Sequence, residues 1–258
     1  MKKVPRIDES AMERMIPHLG GCMVSDAVAV SDGEIGSMVR EEPLQPGDSG
    51  WIFTAGTESP EELNDAGRYS ILEVNTVANR SPDIIPFLLL PPGSEVRRNP
   101  DGRLTLARGS EGPPPVQLLA AAKPGWVQLT ESWGFDISSR LLRRLENGSQ
   151  VLWRPGLTIW IDVYRDETVR PAEERLEQIL RDVAPQHYAQ EVVRDGGDLR
   201  FRYRLEEEGD DGSRRSACYC FALSDQEELH IAFFFESDEL PSDVERIWSS
   251  IRRRPLSA

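Results

Sequence analysis

"LRFRYRL" (199–205) alternates without a break, with Leu199, Phe201, Tyr203 and Leu205 on one side and three arginines on the other. Successive side chains of an extended chain point to opposite faces, so the pattern predicts a strand with one apolar face. Downstream, "ACYCFAL" (217–223) and "LHIAFFFE" (229–236) continue as strands. Upstream, "LTIWIDVY" (157–164) sets Leu157, Ile159, Ile161 and Val163 on one side. Two neighbouring stretches change period. "AEERLEQILRDVA" (172–184) spaces Leu176, Ile179, Leu180 and Val183 as a helical stripe, and "SDVERIWSSIRR" (242–253) does so with Val244, Ile247, Trp248 and Ile251. Ser242 and Glu245 have the spacing of a capping box. The C-terminal half therefore reads as an antiparallel sheet with two helices packed on one face.

Moving towards the N-terminus, "RGSEGPPPVQ" (108–117) has the composition of a linker, with three successive prolines favouring extended geometry. We read residues 1–109 as one domain, 110–120 as the Pro/Gly linker and 121–258 as the second domain, an α+β protein overall. In the first, "DESAMERMIPHL" (8–19) predicts a short capped helix, and "CMVSDAVAV" (22–30) with "IGSMVRE" (35–41) flank the turn "SDGE" as a hairpin. "WIFTAG" (51–56) and "YSILEV" (69–74) read as strands, and "SPEELND" (59–65) as a helix first turn. "NTVANRSPDIIPFL" (75–88) is helical in pieces, and "SEVRRNPDGRLTLA" (94–107) is a hairpin turning at Asn-Pro-Asp-Gly. The unit is small and mixed α+β.

Bulk composition narrows the function. The 258 residues carry 30 basic and 44 acidic side chains, a net charge of −14. Residues 1–109 contribute 11 basic and 17 acidic groups and the remainder 19 and 27, so the negative field covers both halves. Neutralising phosphates needs clustered Lys and Arg, which argues against nucleic acid as a direct partner and for a cationic protein surface. The most apolar run, "IIPFLLLPP" (84–92), is too short to span a bilayer, and "MKKVPRIDES" (1–10) has no apolar run of a secretory signal. Three cysteines, Cys22, Cys218 and Cys220, make no disulfide framework, so the cytoplasm is the expected compartment.

"EEPLQPGDSGWIF" (41–53) contains Gly47-Asp48-Ser49-Gly50, the surroundings of a serine-protease nucleophile. A serine nucleophile needs a base within hydrogen-bond reach. Of the three histidines only His18 precedes Ser49, and Trp51 stands where the protease motif has glycine. The better reading is a turn in which Asp48 or Ser49 bonds backbone amides. The histidines have no metal-ligand spacing, and no phosphate-cradling glycine motif is present, so no enzyme activity, cofactor, metal or small-molecule substrate is expected. Two anionic stretches remain as candidate partner-binding residues. One is Glu41, Glu42 and Asp48 around Trp51, with Glu58 behind. The other is "EEEGDDGS" (206–213), a projecting hairpin tip with Glu206, Glu207, Glu208, Asp210 and Asp211.

"CMVSDAVAV", "GSMVREEP", "DSGWIFTAGTES" and "NTVANRSPDIIPFL", in that order over residues 20–107, resemble the polymorphic-toxin immunity family numbered thirty-three. The resemblance implies a cytosolic antidote that binds and blocks a toxin encoded next door, with no catalytic residues. The C-terminal sheet-and-two-helix pattern looks loosely like the DcrB and photosystem-P-protein class, relatives of which occur around type VI secretion. Together these imply an immunity protein forming a heterodimer with its cognate toxin. The charge favours a nuclease toxin whose cationic site an acidic surface would cover. The alternative is a secretion chaperone or adaptor that loads an effector.

Overall fold

The computed structural model describes residues 12–31, 33–109, 114–165, 170–195, 198–208, 214–224, 226–237 and 239–253. The chain divides into two compact units, Met1–Ala121 and Ala122–Ala258.

The first unit is built on the strands β1 (Gly21–Ser25), β2 (Ser37–Arg40), β3 (Asp48–Thr54), β4 (Tyr69–Glu73), β5 (Glu95–Arg98) and β6 (Leu104–Arg108). They lie in the order β4-β1-β3-β2-β5-β6. Three short helices accompany them: α1 (Asp26–Ala29), α2 (Pro60–Leu63) and α3 (Val74–Arg80). A 3-10 turn of helix over Pro82–Phe87 follows, where Pro82 and Pro86 prevent a longer α-helix. The hairpin expected between residues 22 and 41 does not form. β1 pairs in parallel with β3 and antiparallel with β4, while β2 pairs with β3 and β5. The reason lies in "SDAVAV", whose Asp26–Ala29 folds into α1 and turns the chain away before β2. The hairpin at Asn99–Gly102 does form, as β5 and β6. α2 carries a complete capping box between Ser59 and Glu62.

Residues 12–19 are not helical, against expectation, and residues 8–11 lie outside the described residues. The stretch runs extended because two asparagines on one face of α3 take its backbone groups. Asn79 Oδ1 accepts from Glu13 N and Asn75 Oδ1 from Met15 N, while both amide groups donate to the Glu13 carbonyl.

Register decides which side chains share a face. Cys22, Val24, Met38, Trp51 and Phe53 point to the helix side, where they are buried with Val28, Val74, Val77, Ile84 and Leu88. The opposite face of the same sheet carries the cross-strand row Val39–Ile52–Met23–Ile71, partners in register across β2, β3, β1 and β4.

Val116–Ala122 forms β7, so residues 116–120 of the expected linker are strand; Val-Gln-Leu-Leu-Ala has ordinary strand-forming composition once the prolines are past. Residues 110–113 lie outside the described residues.

In the second unit the strands are β8 (Gly125–Gln128), β9 (Trp133–Ile137), β10 (Leu141–Glu146), β11 (Ser149–Arg154), β12 (Leu157–Arg165), β13 (Tyr188–Asp195), β14 (Asp198–Glu208), β15 (Arg214–Leu223), β16 (Glu227–Phe235) and β17 (Arg252–Arg253). The larger sheet runs β13-β14-β15-β16-β12-β11-β10, with every pair described antiparallel; a smaller one runs β17-β9-β8. The helices are α4 (Ala172–Asp182) and α5 (Ser242–Ser250).

The two helices lie on opposite faces of the larger sheet, not on one. α4 packs Leu176, Ile179 and Val183 on Leu199, Phe201, Phe221 and Leu223. Phe201 pairs with Phe221 and Leu199 with Leu223, so these share a face. α5 buries Val244, Ile247, Trp248 and Ile251 with Cys218, Cys220 and Ala222, which pair with Arg204, Arg202 and Arg200 on the other face. The arginine row is therefore not a solvent face. Arg202 stacks on the Trp248 ring at 5.0 Å and bonds Glu245, and Arg200 donates to the Trp248 carbonyl. The expected capping box of α5 is also absent: Pro241 precedes the helix, and Glu245 is engaged by Arg202. Among the described residues, no helix is long and apolar enough to cross a membrane.

Candidate functional site

The segment from Glu41 to Gly50 leaves β2, turns and re-enters the sheet as β3. Glycine makes the turn possible at Gly47 and Gly50, which have φ of 86° and 73°, the left-handed region that other residues resist. The Gly47 carbonyl accepts from Gly21 N at 2.7 Å, and Glu41 N donates to the Gly50 carbonyl at 2.8 Å. Gly20 passes so close that a Cβ there would stand 2.3 Å from the Gly47 oxygen. The backbone thus already ties the turn to the start of β1.

Ser49 is buried, and its hydroxyl donates to the Gly21 carbonyl at 2.6 Å while accepting from Trp51 N at 3.2 Å. Its partners are backbone groups rather than a base. His18 bonds Glu73, His187 bonds Ala184 and Gln190, and His230 bonds Glu228. No group of three or more His, Cys, Asp or Glu side chains among the described residues is arranged to hold a metal ion.

The candidate residues of this region separate into two kinds. Asp48 is a turn-former: its carboxylate accepts from Leu44 N and Gly50 N, and those two amides hold it below the usual carboxylate range. Glu58 is likewise committed inward. Burial pushes its pKa up, but the Ser25 hydroxyl and the amides of Ala55 and Thr57 outweigh that and leave it lowered. Trp51 is 1% exposed, stacks near Phe53 and donates Nε1–H to the Leu88 carbonyl, so it is a core residue and not a surface anchor. Strand parity places it there, since Trp51 and Phe53 both face the helices. Glu41 and Glu42 stay exposed, and neither forms an ion pair among the described residues.

What surrounds those two carboxylates was not anticipated. Leu44 is 92% exposed at the tip of the turn, and Ile71 is 72% exposed on β4. Together with Met23 and Ile52 they line a hollow of about 420 Å³ that also contains Glu41 and Glu42. A second hollow of about 540 Å³ shares Glu41 and Ile52 and extends past Val39 to Tyr69 and Leu63. Alternation alone could not have located Ile71. In "YSILEV" both faces carry an aliphatic residue, and only the pairing with Met23 identifies the outer one.

The second anionic stretch is less of a tip than expected. Glu206, Glu207 and Glu208 belong to β14, paired with Ser216, Arg215 and Arg214. Glu206 accepts from the Tyr188 and Ser216 hydroxyls, and Glu207 from Tyr219 and Arg215. Those two carboxylates are spent within the sheet. Asp210 and Asp211 lie outside the described residues.

Residues 22–107, about a third of the chain, match the family described as Immunity protein Imm33 domain. This is the stretch in which the sequence resemblance lay, and it contains β1 to β5 with the Glu41–Gly50 turn. A domain of that description suggests an immunity protein acting against a toxin. No curated protein and no solved structure matches the chain.

Proposed function

We propose that the chain is an immunity protein that binds and neutralises a cognate secreted antibacterial toxin, as one partner of a heterodimer. The observation that carries this reading is the match of residues 22–107 to an immunity domain. The mechanism is occlusion: an acidic surface seats on a cationic active site and displaces a polyanionic substrate, which favours a nuclease, with a type VI secretion effector as the expected source. The net charge of −14 supports it, because complementary potentials speed encounter and set register. The compartment is the cytoplasm, consistent with the buried, unpaired thiols of Cys22, Cys218 and Cys220.

The test is reconstitution with the toxin encoded by the neighbouring gene. An equimolar mixture of the two purified proteins abolishes toxin activity, and cells expressing that gene survive only when this chain is present. Binding that leaves the toxin fully active would instead identify a loading adaptor. A neighbour that harms no cell in its absence would refute the reading.

A further inference from the structure

Resting on that reading, we propose that the toxin docks on the open face of the N-terminal sheet, over the row Val39–Ile52–Met23–Ile71 with Leu44 at its rim. The toxin segment seated there has an apolar centre flanked by lysines or arginines.

One face of this sheet is occupied by its own core, with Trp51, Phe53 and Met38 buried against the helices. The other face has no such cover at Ile71 or Leu44, which remain 72% and 92% exposed. Single exposed aliphatic residues are ordinary on a protein surface; a contiguous set marks an interaction site. Here the set is contiguous by register, with Val39, Ile52 and Met23 half-buried beside the exposed Ile71: Val39 pairs with Ile52, Ile52 with Met23, and Met23 with Ile71. Leu44 reaches the same hollow from the turn.

Charge fixes the chemistry of the occupant. Glu95 continues the row as the register partner of Val39, and Glu73 and Glu41 lie on the same face one step towards the turn. Glu42 borders the hollow. Arg97 and Arg108, cations on this face, are both paired with Glu95, at 2.5 and 3.9 Å, which leaves Glu41 and Glu42 as its unpaired charges among the described residues. An apolar centre with an anionic rim matches the layout of protein interfaces, in which apolar anchors contribute most of the affinity and rim charges set register and on-rate. Six strands about 4.8 Å apart make a face roughly 24 Å wide, close to the width of a patch burying about 800 Å² per partner in an ordinary stable complex.

The test measures affinity for a catalytically inactive form of the neighbouring toxin. Leu44→Ala and Ile71→Ala remove side chains that stand in solvent, so the fold, checked by circular dichroism and melting temperature, is retained. Each is expected to weaken binding about tenfold or more, as truncation of an interface anchor does. Leu180→Ala, an exposed leucine on α4, serves as the control and leaves affinity unchanged. Wild-type binding with the Leu44→Asp/Ile71→Asp double variant within twofold of it overturns this docking face while leaving the antidote reading intact. Failure of the wild type to bind or protect overturns both.

Discussion

The Ser49 hydroxyl donates to the Gly21 carbonyl at 2.6 Å and so ties the start of β3 to the first residue of β1. What looks in sequence like a nucleophile is a bolt between two strands. Ser49→Ala removes that bond and takes a donor from the half-buried Gly21 oxygen, a loss of about 1 kcal/mol. Denaturant unfolding should register the loss, and protection against the toxin should survive. Loss of protection without loss of stability would show that the hydroxyl has a chemical role.

Gly20 and Gly47 offer a sharper contrast. Both have positive φ, but a Cβ at Gly20 would sit 2.3 Å from the Gly47 oxygen, whereas one at Gly47 meets open space. Gly47→Ala should cost about 1–2 kcal/mol, the penalty for a left-handed alanine. Gly20→Ala should cost clearly more, because the crossing itself must open. Equal melting temperatures for the two variants would contradict this account of the turn.

In the second unit, Asp243 gathers four hydrogen bonds: the Ser138 and Ser139 hydroxyls at one oxygen, and Arg154 Nε and Nη2 at the other. Burial acts to raise its pKa, yet the bonds from Ser138, Arg154 and Ser139 win and hold it below its ordinary 3.8. A carboxyl depressed in the folded state adds stability that is complete above its unfolded value and fades as pH falls through the folded one. Asp243→Ala should therefore lose about 3 kcal/mol at neutral pH. The gap to wild type should begin to narrow below about pH 4 and go on shrinking as pH falls further, which unfolding measured across pH 2 to 7 will reveal.

Salt should act on the complex mainly through its formation. Glu41 and Glu42 are exposed, so their attraction to a cationic partner is screened within about 10 Å at 0.1 M salt. Stopped-flow association should slow about tenfold or more between low and high salt, with a smaller change in dissociation. The pair Glu41→Lys/Glu42→Lys should slow association further and flatten that dependence. An on-rate indifferent to salt would rule out electrostatic steering.

Legibility in the sequence followed how local each feature was. "LTIWIDVY", "LRFRYRL" and the α5 stripe announced themselves because burial on one face enforces a period. The side of the sheet taken by each helix was not legible: Arg200, Arg202 and Arg204 alternate with the apolar residues as an outer face would, whereas Arg200 and Arg202 lie over Trp248 and Arg204 over Tyr188 and Phe235. β1 was misassigned because its partners lie far along the chain. At the candidate site, the exposed acids of the turn could be read directly. Ile71 and Met23 could not, since an aliphatic residue in a strand does not declare which side faces water. Trp51, readable either as a surface anchor or as a core residue of its strand, is the latter.

The pairing of β1 with β4 joins residues 50 apart, such as Cys22 and Leu72. The row that ends at Ile71 therefore cannot be completed in any piece of chain that stops short of β4. A ribosome must have released residues well past Glu73 before Met23 and Ile71 can stand side by side. Under the proposed function, the docking face would therefore exist only once the first unit has been made through β4, so its appearance follows the order of the chain and not any local segment.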